Sequence, residues 1–336
     1  MRGLALLIMI QVHVFNSFAR MDVRNGGVYA LAVFAGGMAG PLFLFMAGMT
    51  FAFQMDRLER KEIRPRGRWL ECLRRAAYIW GIAYLIRLTD WAGSWPHGSW
   101  GEILRVDILN SMGLAMAAFS VAALASDGRR IRGVLVAAVA IAAVSPLVAN
   151  WNWTWVSGAV RQYLQPGFER GHFPFFPCAS YLGFGMTAGA AVRLAEAGRM
   201  DRVMQWAALI GGGSILAGQY VANLPYAVYP KSNFWTDSPT LIFMRVGVSL
   251  VMLAGCYTWT SFGAGGWSWM QCLGRNSLLV YWVHLMLVYG PLTGALQKSL
   301  SIPATSLAVV AVTALMVGLA VLWQWGKGRF RKPRSC

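Results

Sequence analysis

The sequence predicts an all-α polytopic membrane bundle of about ten transmembrane helices, with both termini in the cytoplasm. Three observations predict it. Of the 336 residues, 57% are hydrophobic and 13% are charged, a balance that a soluble fold of this length has no way to cover. The apolar residues gather into runs of about 17–25, the length that crosses a hydrocarbon core about 30 Å thick. Lys and Arg fall preferentially between alternate runs, which is the positive-inside pattern.

Taken in order, the first span covers residues 2–19 and opens RGLALLIMIQVH. Gln11, His13 and Asn16 interrupt it, and no clean small-residue cleavage site follows, so it is not a signal peptide. The second, 28–53, is long, and Pro41 in its middle predicts a kink or tilt within one helix rather than two helices. Further spans fall at 76–92, 106–125, 133–149 (weakened by Pro146), 174–195, 204–221, 240–260, 276–292 and 305–323. Residues 1–323 thus form the membrane domain and 324–336 a basic cytoplasmic tail. The small-residue pairs Gly36–Gly40 and Gly185–Gly189 suit close helix packing.

With the N-terminus inside, 21 of the 30 basic residues lie on the cytoplasmic side. Eight lie outside, and Arg245 sits within a span. The net charge of +17 is therefore a topology signal, and no nucleic-acid partner is expected. The five cysteines show no metal spacing, so neither a metal nor a disulfide is expected. The external segments 93–105, 150–173 and 222–239 are crowded with Trp and Tyr. They suit an interfacial aromatic belt, or a platform on which sugar rings stack.

The polar inventory of the membrane interior separates the functional classes. All 13 Asp and Glu fall in loops or at span edges, with Asp90 and Asp107 nearest to entering. Ion-coupled transporters keep a carboxylate near the midplane, so that class is disfavoured. What remains inside is His13, Arg245 and His284. Ionisable groups are costly there and mark function. Arg2 and His13 are about 16 Å apart along the first helix and only about 20° apart around it. Ser277, Tyr281 and His284 share one helix face. The competing structural reading is that each histidine ties one helix to a neighbour.

Four stretches carry a family resemblance: PLFLFMAGMTFAF at 41–53, VDILNSMGLA at 106–115, HFPFFPCASYLGFGMTAGA at 172–190 and LGRNSLLVYWVHL at 273–285. Together with the arginine and histidine of the first helix, they resemble the acyltransferase-3 superfamily of membrane acyltransferases. Within it they are similar to the branch of heparan-alpha-glucosaminide N-acetyltransferase and its bacterial relatives. That family usually has Gln where Asn110 stands and an Asp shortly before the Arg-Gly. Its animal member lacks a histidine at the place of His13, which leaves open whether His13 or His284 does the chemistry.

The resemblance implies transfer of an acyl group, chiefly acetyl, from cytoplasmic acyl-CoA to an extracytoplasmic glycan or amino sugar. It also implies an integral protein of the bacterial inner membrane; a homo-oligomer is compatible with it. His13 and His284 are then the expected catalytic residues, as general base or transiently acylated nucleophile. Arg2, Arg74, Arg75 and Arg245 are expected to bind the donor, its phosphates meeting the basic loop DRLERKEIRPRGRWLECLRR. Asp107, Asn110, His172, Asn276, Ser277 and Tyr281 are the expected acceptor-binding residues. The alternative function is a transporter or flippase for a lipid-linked or small organic molecule; a structural role in an envelope complex is the third.

Overall fold

A computed structural model describes residues 1–93, 99–168, 173–195, 197–263 and 267–330. Its helices are α1 (Arg2–Phe18), α2 (Gly27–Gly36), α3 (Ala39–Arg60), α4 (Pro65–Gly93), α5 (Ile108–Phe119), α6 (Asp127–Ala149) and α7 (Gly158–Leu164). They continue with α8 (Phe175–Leu194), α9 (Met200–Ala222), α10 (Pro239–Phe262), α11 (Trp269–Arg275), α12 (Ser277–Tyr289) and α13 (Ile302–Phe330). Among the described residues there is no β-strand, only one isolated parallel bridge between Ala19 and Leu300.

Five stretches of the described chain are long and apolar enough to cross a membrane. They are Gly27–Arg60, Gly128–Ala149, Phe175–Leu194, Pro239–Phe262 and Ile302–Lys327. The all-helical membrane architecture is thus as the sequence predicts, while the structure supports five spans where about ten were expected. The apolar helices Arg2–Phe18, Ile108–Leu124 and Ser277–Tyr289 are shorter. The 13 residues of α12 rise only about 20 Å against a core of about 30 Å.

The region 28–53 departs from the single kinked helix expected of it. Gly37 and Met38 form a turn, and α2 and α3 are separate elements. Pro41 explains the place of the break. It has no N–H to offer the Gly37 carbonyl four residues earlier, and its ring crowds that carbonyl. The interruption therefore falls one turn before the proline.

The chain divides into two compact units, Met1–Gly40 with Ala264–Cys336, and Pro41–Gly263. In the second unit α3 and α8 cross backbone to backbone. Gly48 meets the Leu182 carbonyl, Gly185 meets Phe45, and Gly189 meets Met49, so a Cβ at any of the three would overlap main-chain atoms. The Gly185–Gly189 pair thus serves the packing expected of it. Gly211 and Gly247 let α9 and α10 approach in the same way.

In the first unit α1 touches α2, α11, α12 and α13. Gly36 lies against the Val12 side chain, and Gly3 against the backbone of Met270. The far end of α1 is tied to the segment before α13. Lys298 N–H donates to Ser17 O at 2.8 Å, Leu300 N–H to Phe18 O at 2.9 Å, and Arg20 N–H to Leu300 O at 3.0 Å.

Candidate active site

One buried hydrogen bond joins α1 to α12: Ser17 Oγ donates to the Val288 carbonyl at 2.8 Å. Ser17 stands four residues after His13, and Val288 four residues after His284. One helical turn back from that bond on both helices, the two imidazoles meet, with ring centroids 5.3 Å apart and planes inclined by 32°. The sequence put both histidines in apolar helices; the tertiary fold makes them a pair.

The two members differ in surroundings. His284 is 0% exposed, whereas His13 is half-buried. His284 Nδ1 lies 2.7 Å from the Val280 carbonyl. A carbonyl only accepts, so Nδ1 carries the proton of that bond. In the neutral ring Nε2 then bears the lone pair, and it is buried without a hydrogen-bond partner among the described residues. Two tyrosines complete the cluster. Tyr281, on the face shared with His284, has its ring centroid 5.9 Å from that imidazole, edge to face. Tyr289 stands 5.5 Å from His13 in the same manner.

The other expected residues divide by what they touch. Arg2 begins α1, where Gly274 leaves room for its backbone. Asn276 ends α11 and donates to Cys272 O at 3.0 Å and to Ala320 O at 3.4 Å, so its amide holds α11 against α13. Ser277 follows as the half-buried first residue of α12.

In the second unit Asp107 and Asn110 form a capping box at the start of α5. Asp107 accepts from Ile108 N–H at 3.0 Å, while Asn110 Oδ1 accepts from Asp107 N–H at 3.1 Å. Asp107 also pairs with Arg87 at 3.0 Å. Asn110 donates to Tyr163 at 3.3 Å, whose hydroxyl lies 2.7 Å from that of Tyr84. Both residues therefore work first as the scaffold that starts a helix. Arg245, half-buried in α10, faces Cys178 and Tyr181 of α8. His172 lies outside the described residues.

Arg74 and Arg75 are adjacent, but the fold separates their tasks. Arg74 is paired with Glu71 at 2.5 Å and points outward. Arg75 lines an open groove of about 560 Å³ with Thr50, Phe53, Gln54, Arg57, Leu58 and Lys61. Three cations and no carboxylate line this groove, which makes it a place for a multiply charged anion. Arg57 and Lys61 belong to the basic stretch expected to meet the phosphates but were not named within it, although their i, i+4 spacing at the end of an apolar run signals one shared face. Ser17 and Tyr289 were missed because their value lies only in what they touch. Among the described residues no cluster of three or more His, Cys, Asp or Glu is placed to hold a metal, and Cys72, Cys178, Cys256 and Cys272 are free thiols.

Residues 1–225 match the family model described as heparan-alpha-glucosaminide N-acetyltransferase, catalytic. The chain belongs to that family. Membership makes it a transmembrane acetyltransferase, in keeping with its apolar helices. No curated protein matches the chain. The family match takes in α1 with His13, the α5 capping box and the basic groove, and it ends before Arg245 and His284.

Proposed function

We propose that the protein transfers an acetyl group from cytoplasmic acetyl-CoA to the amine or hydroxyl of an extracytoplasmic glucosamine-type sugar or glycan. In this reading it is a bacterial inner-membrane member of the acyltransferase-3 superfamily, with residues 1–323 as the catalytic domain and 324–336 as a basic tail. The observation that carries it is the ring contact of His13 with a His284 whose Nδ1–H is bound to the Val280 carbonyl.

A half-buried imidazole backed by a wholly buried one divides the labour. His13 meets the substrates. As general base it takes the proton of the acceptor N–H or O–H while that atom attacks the thioester carbonyl; the C–S bond breaks and the proton passes to the leaving thiolate. As nucleophile it first accepts the acetyl group and expels the thiolate; the acceptor then displaces the imidazole, and the acceptor's proton passes to the thiolate. His284, held by its Nδ1–H bond to the Val280 carbonyl, packs its ring against His13 and orients it. Tyr281 and Tyr289 keep the pair dry on their flanks. Arg57, Lys61 and Arg75 are assigned to the phosphates of the donor, with Arg2 as a further donor contact.

Purified protein in vesicles, given acetyl-CoA labelled in the acetyl group and glucosamine, should produce labelled N-acetylglucosamine. His13→Ala in the same preparation should not. Equal labelling by the two proteins would sink this assignment.

A further inference from the structure

The groove cations are set off from their neighbours by two carboxylates on the opposite face of the same helix. Near its end α3 reads Asp56-Arg57-Leu58-Glu59-Arg60, and Lys61 follows directly. At about 100° per residue, Arg57 and Lys61 fall on one side with the groove-lining Thr50, Phe53 and Gln54, while Asp56 and Glu59 fall on the other. The acids are fully engaged. Glu59 Oε1 takes Arg68 of α4 at 2.8 Å and Oε2 takes Arg130 of α6 at 2.7 Å. Asp56 pairs with Arg60 at 3.1 Å and with Arg193 of α8. One turn of α3 thus binds three other helices through charge. Arg68 and Arg130 are 7% and 8% exposed, so each needs its partner: a guanidinium that loses its carboxylate in such a setting must move.

We infer that Glu59 is a positioning residue for the donor. Its bond to Arg68 fixes the first turns of α4 against α3, and Arg75 lies seven residues, two turns, further along the same face of α4. Glu59 thereby sets the gap across which Arg75 faces Arg57 and Lys61. It also draws two cations away from the groove, so that the anion meets a fixed set of three rather than a shifting set of five. This rests on the groove being the site of the donor's phosphates.

The test is steady-state kinetics of the full chain in vesicles, varying acetyl-CoA, with thermal unfolding measured alongside. Glu59→Gln keeps size and removes the charge. It should raise KM for acetyl-CoA about tenfold, the effect of one misplaced charge-assisted contact, while kcat at saturating donor stays within about twofold. A helix tie with no bearing on the donor would change unfolding without this split. The double variant Arg57→Gln/Lys61→Gln checks the underlying reading separately. If that variant keeps the wild-type KM, the groove is not the donor site, and the inference goes with it. If it raises KM and Glu59→Gln does not, the groove stands and the positioning role is overturned. Should Glu59→Gln fail to fold, Arg68→Lys examines the same tie, because it keeps the charge but loses the guanidinium fork. A raised KM with kcat preserved supports the role, and an unchanged KM overturns it.

Discussion

The histidine pair of the first unit and the end of α3 in the second hold their polar groups by opposite means. Around His13 and His284 the first unit uses neutral contacts: a hydroxyl on a carbonyl at Val288, an imidazole on a carbonyl at Val280, and ring edges of two tyrosines. The ion pair between Arg20 and Asp22 in that unit is exposed. At the end of α3 the second unit uses charge, with four arginines on Asp56 and Glu59. The proposed function gives the difference a reason. Groups that hold a shape can be locked by strong fixed charges, whereas a group that must take up and release a proton needs neutral neighbours that leave a lone pair open.

The comparison breaks most visibly at the histidines. His13→Ala should lower turnover by about 10²–10⁴-fold, the usual loss for a general base, while acetyl-CoA binding measured by titration stays nearly unchanged. His13→Gln should not rescue it, since an amide takes up no proton at neutral pH. A wild-type rate in that variant would move the chemistry to His284 or end the enzyme reading. His284→Ala should lower turnover as well, in protein that inserts and purifies normally. Loss of folded protein with full specific activity in the remainder would instead make His284 only a tie between helices.

Next in size come the donor contacts. Arg57→Gln should weaken acetyl-CoA binding by about 10–100-fold, since one charge-assisted bond contributes about 1.5–3 kcal/mol, and the double variant Arg57→Gln/Lys61→Gln by more. Arg2→Ala should weaken it by no more than the lower end of that range. Loss of kcat rather than affinity in these proteins would erase the contrast between the units.

A smaller effect is expected at the register bond. Ser17→Ala removes the shorter of the two hydroxyl bonds to the Val288 carbonyl, which keeps only that from Thr293 at 3.4 Å, a loss of about 1 kcal/mol in stability. The melting temperature should fall and turnover decline severalfold, whereas Ser17→Thr, which keeps the hydroxyl, should restore both. Turnover unchanged in a destabilised Ser17→Ala protein would show that the histidine pair needs no such register.

The smallest readout concerns sidedness. Cys72 is 0% exposed, and burial pushes its thiol up to about 11, so little thiolate is present at neutral pH. Failure to label Cys72 in intact cells therefore says nothing about which face it occupies. Arg66→Cys, at an exposed position at the start of α4, is the informative probe. An impermeant thiol reagent should reach it only after the membrane is opened; labelling in intact cells would invert the topology.

Much of this is legible in the residues themselves. The apolar runs and the two histidines within apolar helices are properties of single helices, and a one-dimensional pattern records them. The basic stretch at the end of α3 and the start of α4 is equally plain as charge. What the pattern does not hold is the sorting of that charge. Arg57, Lys61 and Arg75 face a groove while Arg68, Arg130 and Arg193 are bound to carboxylates, and only the packing of α3 against α4, α6 and α8 decides which is which. Asp107 and Asn110 look like groups awaiting a substrate, because a sequence shows a polar side chain without its partner; the fold gives both to the start of α5.

The sequence alone determined that this chain lives among lipids, where its ionisable residues lie along each helix, and which family it resembles, because hydrophobicity, periodicity and motif are written residue by residue. The pairing of His13 with His284 was decided only in three dimensions. The two stand as far apart in the chain as Ser17 and Val288, 271 residues, and they meet one turn back from the bond between that pair. A contact between two helices depends on their relative register, and register is a property of neither helix by itself.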